Sequence, residues 1–167
     1  LPEEVTRITP EKIGDTSASV YWDTQLAATG YDVYLLTVDK DVNTLSKTLL
    51  GSTKDIAYTA KNLKSTTAYR FEVAAYRDFD GKKLVGKSGL SKIFTTLPGK
   101  VENLKALSSG NTVALTWSVQ SGADGYEVYD SNKNLLKELG ADKGIYTHYN
   151  LEEGKGYTFY VRSFIKD

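Results

Sequence analysis

Cysteine and methionine are absent from the 167 residues, histidine occurs once and proline three times. Without cysteine there is no disulfide framework, no thiolate zinc site and no thiol nucleophile. A lone histidine, His148, leaves no convincing Ser-His-Asp set and no histidine-based metal site. No stretch approaches the ~20 apolar residues of a membrane-spanning helix, so no membrane insertion is expected. Neither charge dominates: 21 basic residues face 21 acidic ones, with a pI near 6.8. That balance argues against a nucleic-acid partner, whose phosphates call for a clearly basic domain. Leu1 in place of an initiator methionine reads as the start of a processed or excised piece, with any targeting segment outside it. What the chain does have is tyrosine, twelve in all.

The sequence repeats itself. Leu1-Pro2, Val5 and Ile8 return as Leu97-Pro98, Val101 and Leu104; Trp22, Gly30-Tyr31 and Val33-Tyr34 return as Trp117, Gly125-Tyr126 and Val128-Tyr129. Further on, Tyr58-Thr59, Asn62-Leu63, Tyr69, Phe71 and Val73 return as Tyr146-Thr147, Asn150-Leu151, Tyr157, Phe159 and Val161. The offset falls from 95 to 88, a seven-residue shortening between Tyr129 and Tyr146 that is expected between strands, where loops absorb it. Within each repeat apolar residues alternate with polar ones, as in Ala18-Val20-Trp22, Val113-Leu115-Trp117 and Tyr69-Phe71-Val73-Ala75. Turn residues cluster between them, for example Ser108-Ser109-Gly110-Asn111. No helical periodicity of useful length occurs, so the chain is all-β, with two repeats over residues 1–97 and 98–167.

Trp22 on the second strand, Gly30 to Tyr34 on the third, and Leu63 followed six residues later by Tyr69 form one set; Trp117, Gly125 to Tyr129, and Leu151 with Tyr157 form the other. This pattern resembles tandem fibronectin type III (FN3) modules over nearly the whole chain. The Leu-x5-Tyr spacing resembles the tyrosine corner of immunoglobulin-like sandwiches. The resemblance implies two such β-sandwiches, each without a disulfide. A seventh strand is expected at roughly 90–96 in the first module. In the second, the sixth strand, Tyr157 to Ser163, is followed by only a few residues, so that module reads as lacking its last strand. Three accounts fit: an early end to the fragment, which is preferred, completion by another segment, or strand-edge pairing with a neighbouring chain.

Several motifs carry a chemical suggestion and a plainer one. Gly81 to Ser88 satisfies G-x-x-x-x-G-K-S, but no helix pattern follows to present its N-terminus to a phosphate. The segment is expected to be the loop between strands six and seven. Asp78-Phe79-Asp80-Gly81 is too small a set for calcium and reads as a surface turn. Glu152-Glu153 and Glu3-Glu4 read as solvated pairs rather than glycosidase carboxylates. His148 aligns with Ala60 and is expected to pack at the core margin with one ring nitrogen satisfied. No enzyme activity, cofactor or metal is expected.

The candidate partner-binding residues are the aromatics in the outward phase of strands three and six: Tyr34 and Tyr76 in the first module, Tyr129, Tyr160 and Phe164 in the second. The resemblance makes these strands neighbours and so sets Tyr34 near Tyr76, and Tyr129 near Tyr160 and Phe164. Such residues stack on proteins or sugars, or simply stabilise a wet sheet face as cross-strand pairs. Residues 1–97 carry 13 basic and 12 acidic groups and residues 98–167 carry 8 and 9, so neither module steers a polyanion. Pro98 stiffens a short linker, and an elongated rod is expected.

The resemblance implies a non-catalytic extracellular spacer and interaction pair within a larger secreted or surface protein, whose neighbouring domains it positions. The absence of Arg-Gly-Asp, Trp-Ser-x-Trp-Ser and glycosylation sequons, with Lys, Asp, Asn and Thr-rich loops, is similar to modules of bacterial secreted hydrolases and surface proteins. The alternative is direct binding of a protein or glycan at the cell surface through the outward aromatics.

Overall fold

The computed structural model describes residues 1–166 and forms two compact units, Leu1–Leu97 and Pro98–Asp167. The first contains β1 (Thr9–Glu11), β2 (Ser17–Tyr21), β3 (Gly30–Val38), β4 (Thr44–Thr53), β5 (Ala57–Lys61), β6 (Ala68–Phe79), β7 (Lys82–Leu90) and β8 (Phe94–Thr95). The second contains β9 (Lys105–Ser109), β10 (Thr112–Thr116), β11 (Gly125–Tyr129), β12 (Leu135–Gly140), β13 (Ile145–His148) and β14 (Tyr160–Phe164). All pairings are antiparallel.

In the first unit a sheet β1-β2-β5 faces a sheet β4-β3-β6-β7, with β8 also paired to β6. The alternating residues of β2, β3 and β6 point into the space between, where Val20, Trp22, Val33, Phe71 and Val73 are buried together. Trp22 meets the edge of Tyr31 at 5.4 Å between ring centroids, a geometry that the ring quadrupoles favour. The second unit repeats this with sheets β13-β10-β9 and β12-β11-β14, and with Trp117 on Tyr126 at 5.5 Å.

The tyrosine corner is present twice. The Lys64 N–H donates to Tyr69 Oη at 3.1 Å and the Glu152 N–H to Tyr157 Oη at 3.0 Å. A second repeated tyrosine bond was not foreseen: the Gln25 N–H donates to Tyr31 Oη, and the Gln120 N–H to Tyr126 Oη.

Three expectations are corrected. The segment after Gly81 is not a loop; Asp80 and Gly81, both at positive φ, make a tight hairpin and the chain returns at once as β7. The last strand of the first unit is therefore split into β7 and β8 around Ser91–Ile93, because Ser91 Oγ accepts the Phe71 N–H and donates to the Lys92 carbonyl. The sixth strand of the second unit is β14, Tyr160–Phe164, and residues 156–159 before it pair with no strand. Finally, the seven-residue shortening lies in strands rather than loops. β3 has nine residues and β11 five, β4 ten and β12 six, while the connecting loops Asp39–Asn43 and Asp130–Asn134 are equally long. Removing four residues from a strand preserves its in-out phase, so the core face of β11 is undisturbed.

Candidate functional site

In the first unit the outer face of β3 and β6 carries Tyr34, Asp32, Gly30, Glu72 and Tyr76. The register sets Tyr34 opposite Glu72 and Tyr76 opposite Gly30, so Tyr34 and Tyr76 are not the neighbours expected; the Asp32–Ala74 pair lies between them. Tyr76 covers Gly30, where a Cβ would fall 2.5 Å from its Oη, and the glycine is required by that close approach. Each ring has a lysine over it: Lys47 Nζ lies 4.4 Å from the Tyr34 centroid and Lys83 Nζ 4.0 Å from that of Tyr76. The lysines come from β4 and β7, the flanking strands. Lys83 also pairs with the buried Asp32 at 2.6 Å, an oxygen that Ser52 Oγ reaches too. The hydrogen bond to Asp32 raises the Lys83 pKa above its ordinary value, against the opposing effect of burial. Lys47 pairs with Glu72 at 2.9 Å, and Ser88 Oγ donates to the same carboxylate.

In the second unit Tyr129 stands directly opposite Tyr160, and Phe164 opposite Gly125. The Phe164 ring covers Gly125 as Tyr76 covers Gly30. Arg162 lies over Tyr129 and donates to Glu127, which also accepts from Tyr129 Oη. Lys133 Nζ is 2.9 Å from the Tyr160 centroid. Tyr129, Lys133, Tyr160, Val161 and Arg162 line an open groove of about 400 Å³. Here the acid's cationic partner comes from β14 itself rather than from a flanking strand. The structure thus brings Tyr129 and Tyr160 together, and leaves Phe164 four residues away along the strand. Each cation–aromatic contact contributes roughly 0.5–1 kcal/mol at an exposed site.

The hydrogen bond from Arg162 first, and that from Tyr129 second, hold the Glu127 carboxyl below the usual glutamate value. Because its folded pKa is depressed, its contribution to stability is complete above the unfolded value of 4.5 and is lost as pH falls through the folded one. Asp130 acts in the same direction, held down by its bond from Asn134. Urea midpoints of the second unit are expected to fall between about pH 5 and pH 3, and Glu127→Gln to flatten that fall. An unchanged slope in the variant would remove the assignment.

The remaining motifs have structural roles. Gly86 and Gly89 of β7 let the N-terminal segment pass over the strand, with the carbonyls of Pro2 and Val5 where side chains would stand. Lys87 pairs with Glu4 at 2.6 Å, and Ser88 is engaged by Glu72. The phosphate-loop string is therefore a strand that seats the N-terminus. His148 lies against Tyr146 and Phe159, with Nδ1 2.8 Å from Tyr146 Oη. Among the described residues no group of three or more acids or histidines is placed to hold a metal. Residues Asp130 to Asn134 read as a turn from their composition, but sequence reasoning overlooked that Asp39–Asn43 is the same loop. In each, the aspartate accepts from the backbone N–H groups two and four residues on and from the asparagine side chain. The repeated Asp-x-x-x-Asn spacing was the available signal.

Each unit is a sandwich of two antiparallel sheets with a tryptophan–tyrosine core and a tyrosine corner. A two-domain fibronectin type III segment of chicken tenascin is similar to 98% of this chain and 90% of its own, at 14% identity and a TM-score of 0.53. The chain accordingly has the fold of two tandem fibronectin type III sandwiches. The FN1–FN3 domains of chicken CNTN1 align with 98% of this chain and 61% of theirs, at 18% identity and a TM-score of 0.46. No family model matches the sequence, and no curated protein matches it.

Proposed function

We propose that the chain is a non-catalytic spacer and interaction pair within a larger secreted or surface protein, of the kind carried by bacterial hydrolases and surface proteins, positioning its neighbouring domains outside the cell. The observation that carries this reading is that each unit has a hydrophobic core of its own while the polar and aromatic groups of its outer face engage one another. Asp32, Glu72 and Glu127 each meet a cation of their own unit, which leaves a scaffold rather than a reactive cleft. With fluorophores at its two ends, the chain is expected to give a narrow distance distribution by single-molecule energy transfer. A broad one, like that of a Gly/Ser linker of equal length, would remove the spacer reading.

The groove between Tyr129 and Tyr160 favours a second reading, direct binding of a protein or glycan by the outward aromatics. On that reading Tyr34→Ala with Tyr129→Ala abolishes capture in a glycan array or pull-down while the fold persists. Unchanged capture excludes it.

A further inference from the structure

The sequence contains two Asp-Gly pairs, Asp80-Gly81 and Asp124-Gly125, and the fold treats them oppositely. The pair matters chemically, because the backbone nitrogen after an aspartate can attack that residue's own Cγ and close a five-membered succinimide ring. A glycine in second place removes the Cβ that would hinder the approach and leaves the backbone free to turn. Whether the ring closes then depends on how much of the surrounding structure must open.

At Asp80-Gly81 little must open. Both residues are exposed at the tip of the β6–β7 hairpin, with φ of 50° and 71°, the paired positive values of a tight two-residue turn. The ladder ends at the Phe79–Lys82 pair, so the Gly81 N–H lies outside it. A Cβ on Gly81 would meet nothing within 4 Å. The Asp80 carboxylate has no hydrogen bond or ion pair among the described residues. β3 begins at Gly30, opposite Tyr76. Beyond Asp78, whose N–H donates to Thr29 Oγ1 at 3.0 Å, β6 and β7 therefore pair only with each other.

At Asp124-Gly125 the same atoms are engaged. The Asp124 N–H donates to the Phe164 carbonyl, and its Oδ2 accepts the Lys166 N–H, both at 2.8 Å. Gly125 is the first residue of β11 and is buried between β12 and β14. The Leu139 carbonyl and the Phe164 ring fill the space where its Cβ would stand. Bringing the Asp124 Cγ onto the Gly125 nitrogen requires that the start of a central strand leave its sheet.

We propose that Asp80 is a site of spontaneous isoaspartate formation in the folded protein, and that Asp124 is protected from it. The Gly81 nitrogen bonds to Asp80 Cγ, and its proton leaves with the carboxyl hydroxyl as one water. One water then adds back at either imide carbonyl. Cleavage of the bond from nitrogen to Cγ restores aspartate. Cleavage of the bond from nitrogen to the Asp80 main-chain carbonyl carbon routes the chain through Cβ and Cγ and frees the main-chain carboxylate. Mass and charge are unchanged, but the main chain gains one atom inside the turn that sets the Phe79–Lys82 register. The strand that this register holds, β7, carries Lys83 to Asp32 and the glycines over which the N-terminal segment passes.

The test keeps the whole chain at neutral pH and body temperature and follows it by peptide mapping, where an isoaspartyl peptide separates from its parent at equal mass. The Asp80 peptide is expected to convert at least about tenfold faster than the Asp124 peptide, because opening a hairpin tip costs far less than opening a central strand. In concentrated urea the two rates should converge. Asp80→Glu, whose longer side chain cannot close the five-membered ring, should remove the isomer at that position. In the purified isomerised chain, amide exchange should speed up over β7 and stay unchanged over β9 to β14. Equal rates in the folded chain, a rate ratio that persists in urea, or isomer at Asp80 only in urea overturns the proposal. Unchanged exchange over β7 overturns its structural consequence.

Discussion

Trp117→Ala is expected to unfold the second unit and leave the first intact. Truncating a buried tryptophan costs about 3–5 kcal/mol, from lost transfer energy and the cavity left behind. A unit of about 70 residues has a total stability of roughly 4–10 kcal/mol at 0.05–0.15 kcal/mol per residue. The second unit stands at the low end, because its core joins 7 buried residues where that of the first joins 15. Trp22→Ala removes the same group from the larger core and should lower its midpoint without unfolding it. Amide hydrogen exchange resolves the two cases: protection should vanish over β9 to β14 in Trp117→Ala and persist over β2, β3 and β6. Retained protection in the second unit, or its loss from both, would show that the two cores do not fold as separate units.

Phe94→Ala should have the next largest effect, confined to the first unit. The ring is buried against Tyr69 and Phe71, and its loss costs about 3–5 kcal/mol. For a unit of this size that lowers the thermal midpoint by on the order of 15 °C or more. It should also uncover Tyr69, which is buried beside Phe94, seen as new exposure of that residue to solvent in its fluorescence and exchange. A shift of only a few degrees would mean that β8 is held by its backbone bonds and the hydrogen bonds of Ser91 and Thr96 rather than by its ring.

The fold was legible in the sequence because its cause is local and repeated. Alternation along β2, β6 and β10 sorts side chains between a core and water whatever else the chain does. The tryptophan, the Gly-Tyr-x-Val-Tyr strand and the Leu-x5-Tyr corner occur twice in register, so each copy supports the reading of the other. The outward aromatics were legible by the same parity. Their surroundings were not, because Lys47 and Lys83 reach Tyr34 and Tyr76 from strands whose register no local pattern sets. The strand β7 was hidden for a related reason. Its glycines look like a loop until the N-terminal segment is seen passing over Gly86 and Gly89, a close approach between residues more than eighty positions apart.

Composition, parity and repetition therefore determine by themselves that this chain makes two disulfide-free sandwiches, and which residues build each core. Only the tertiary structure decides which acid meets which cation, that the shortening falls within strands, and that the N-terminal segment passes over Gly86 and Gly89. The reason is range. Burial of a side chain follows from its own chemistry and phase, whereas an ion pair or a close glycine contact depends on the distance between segments far apart in the chain.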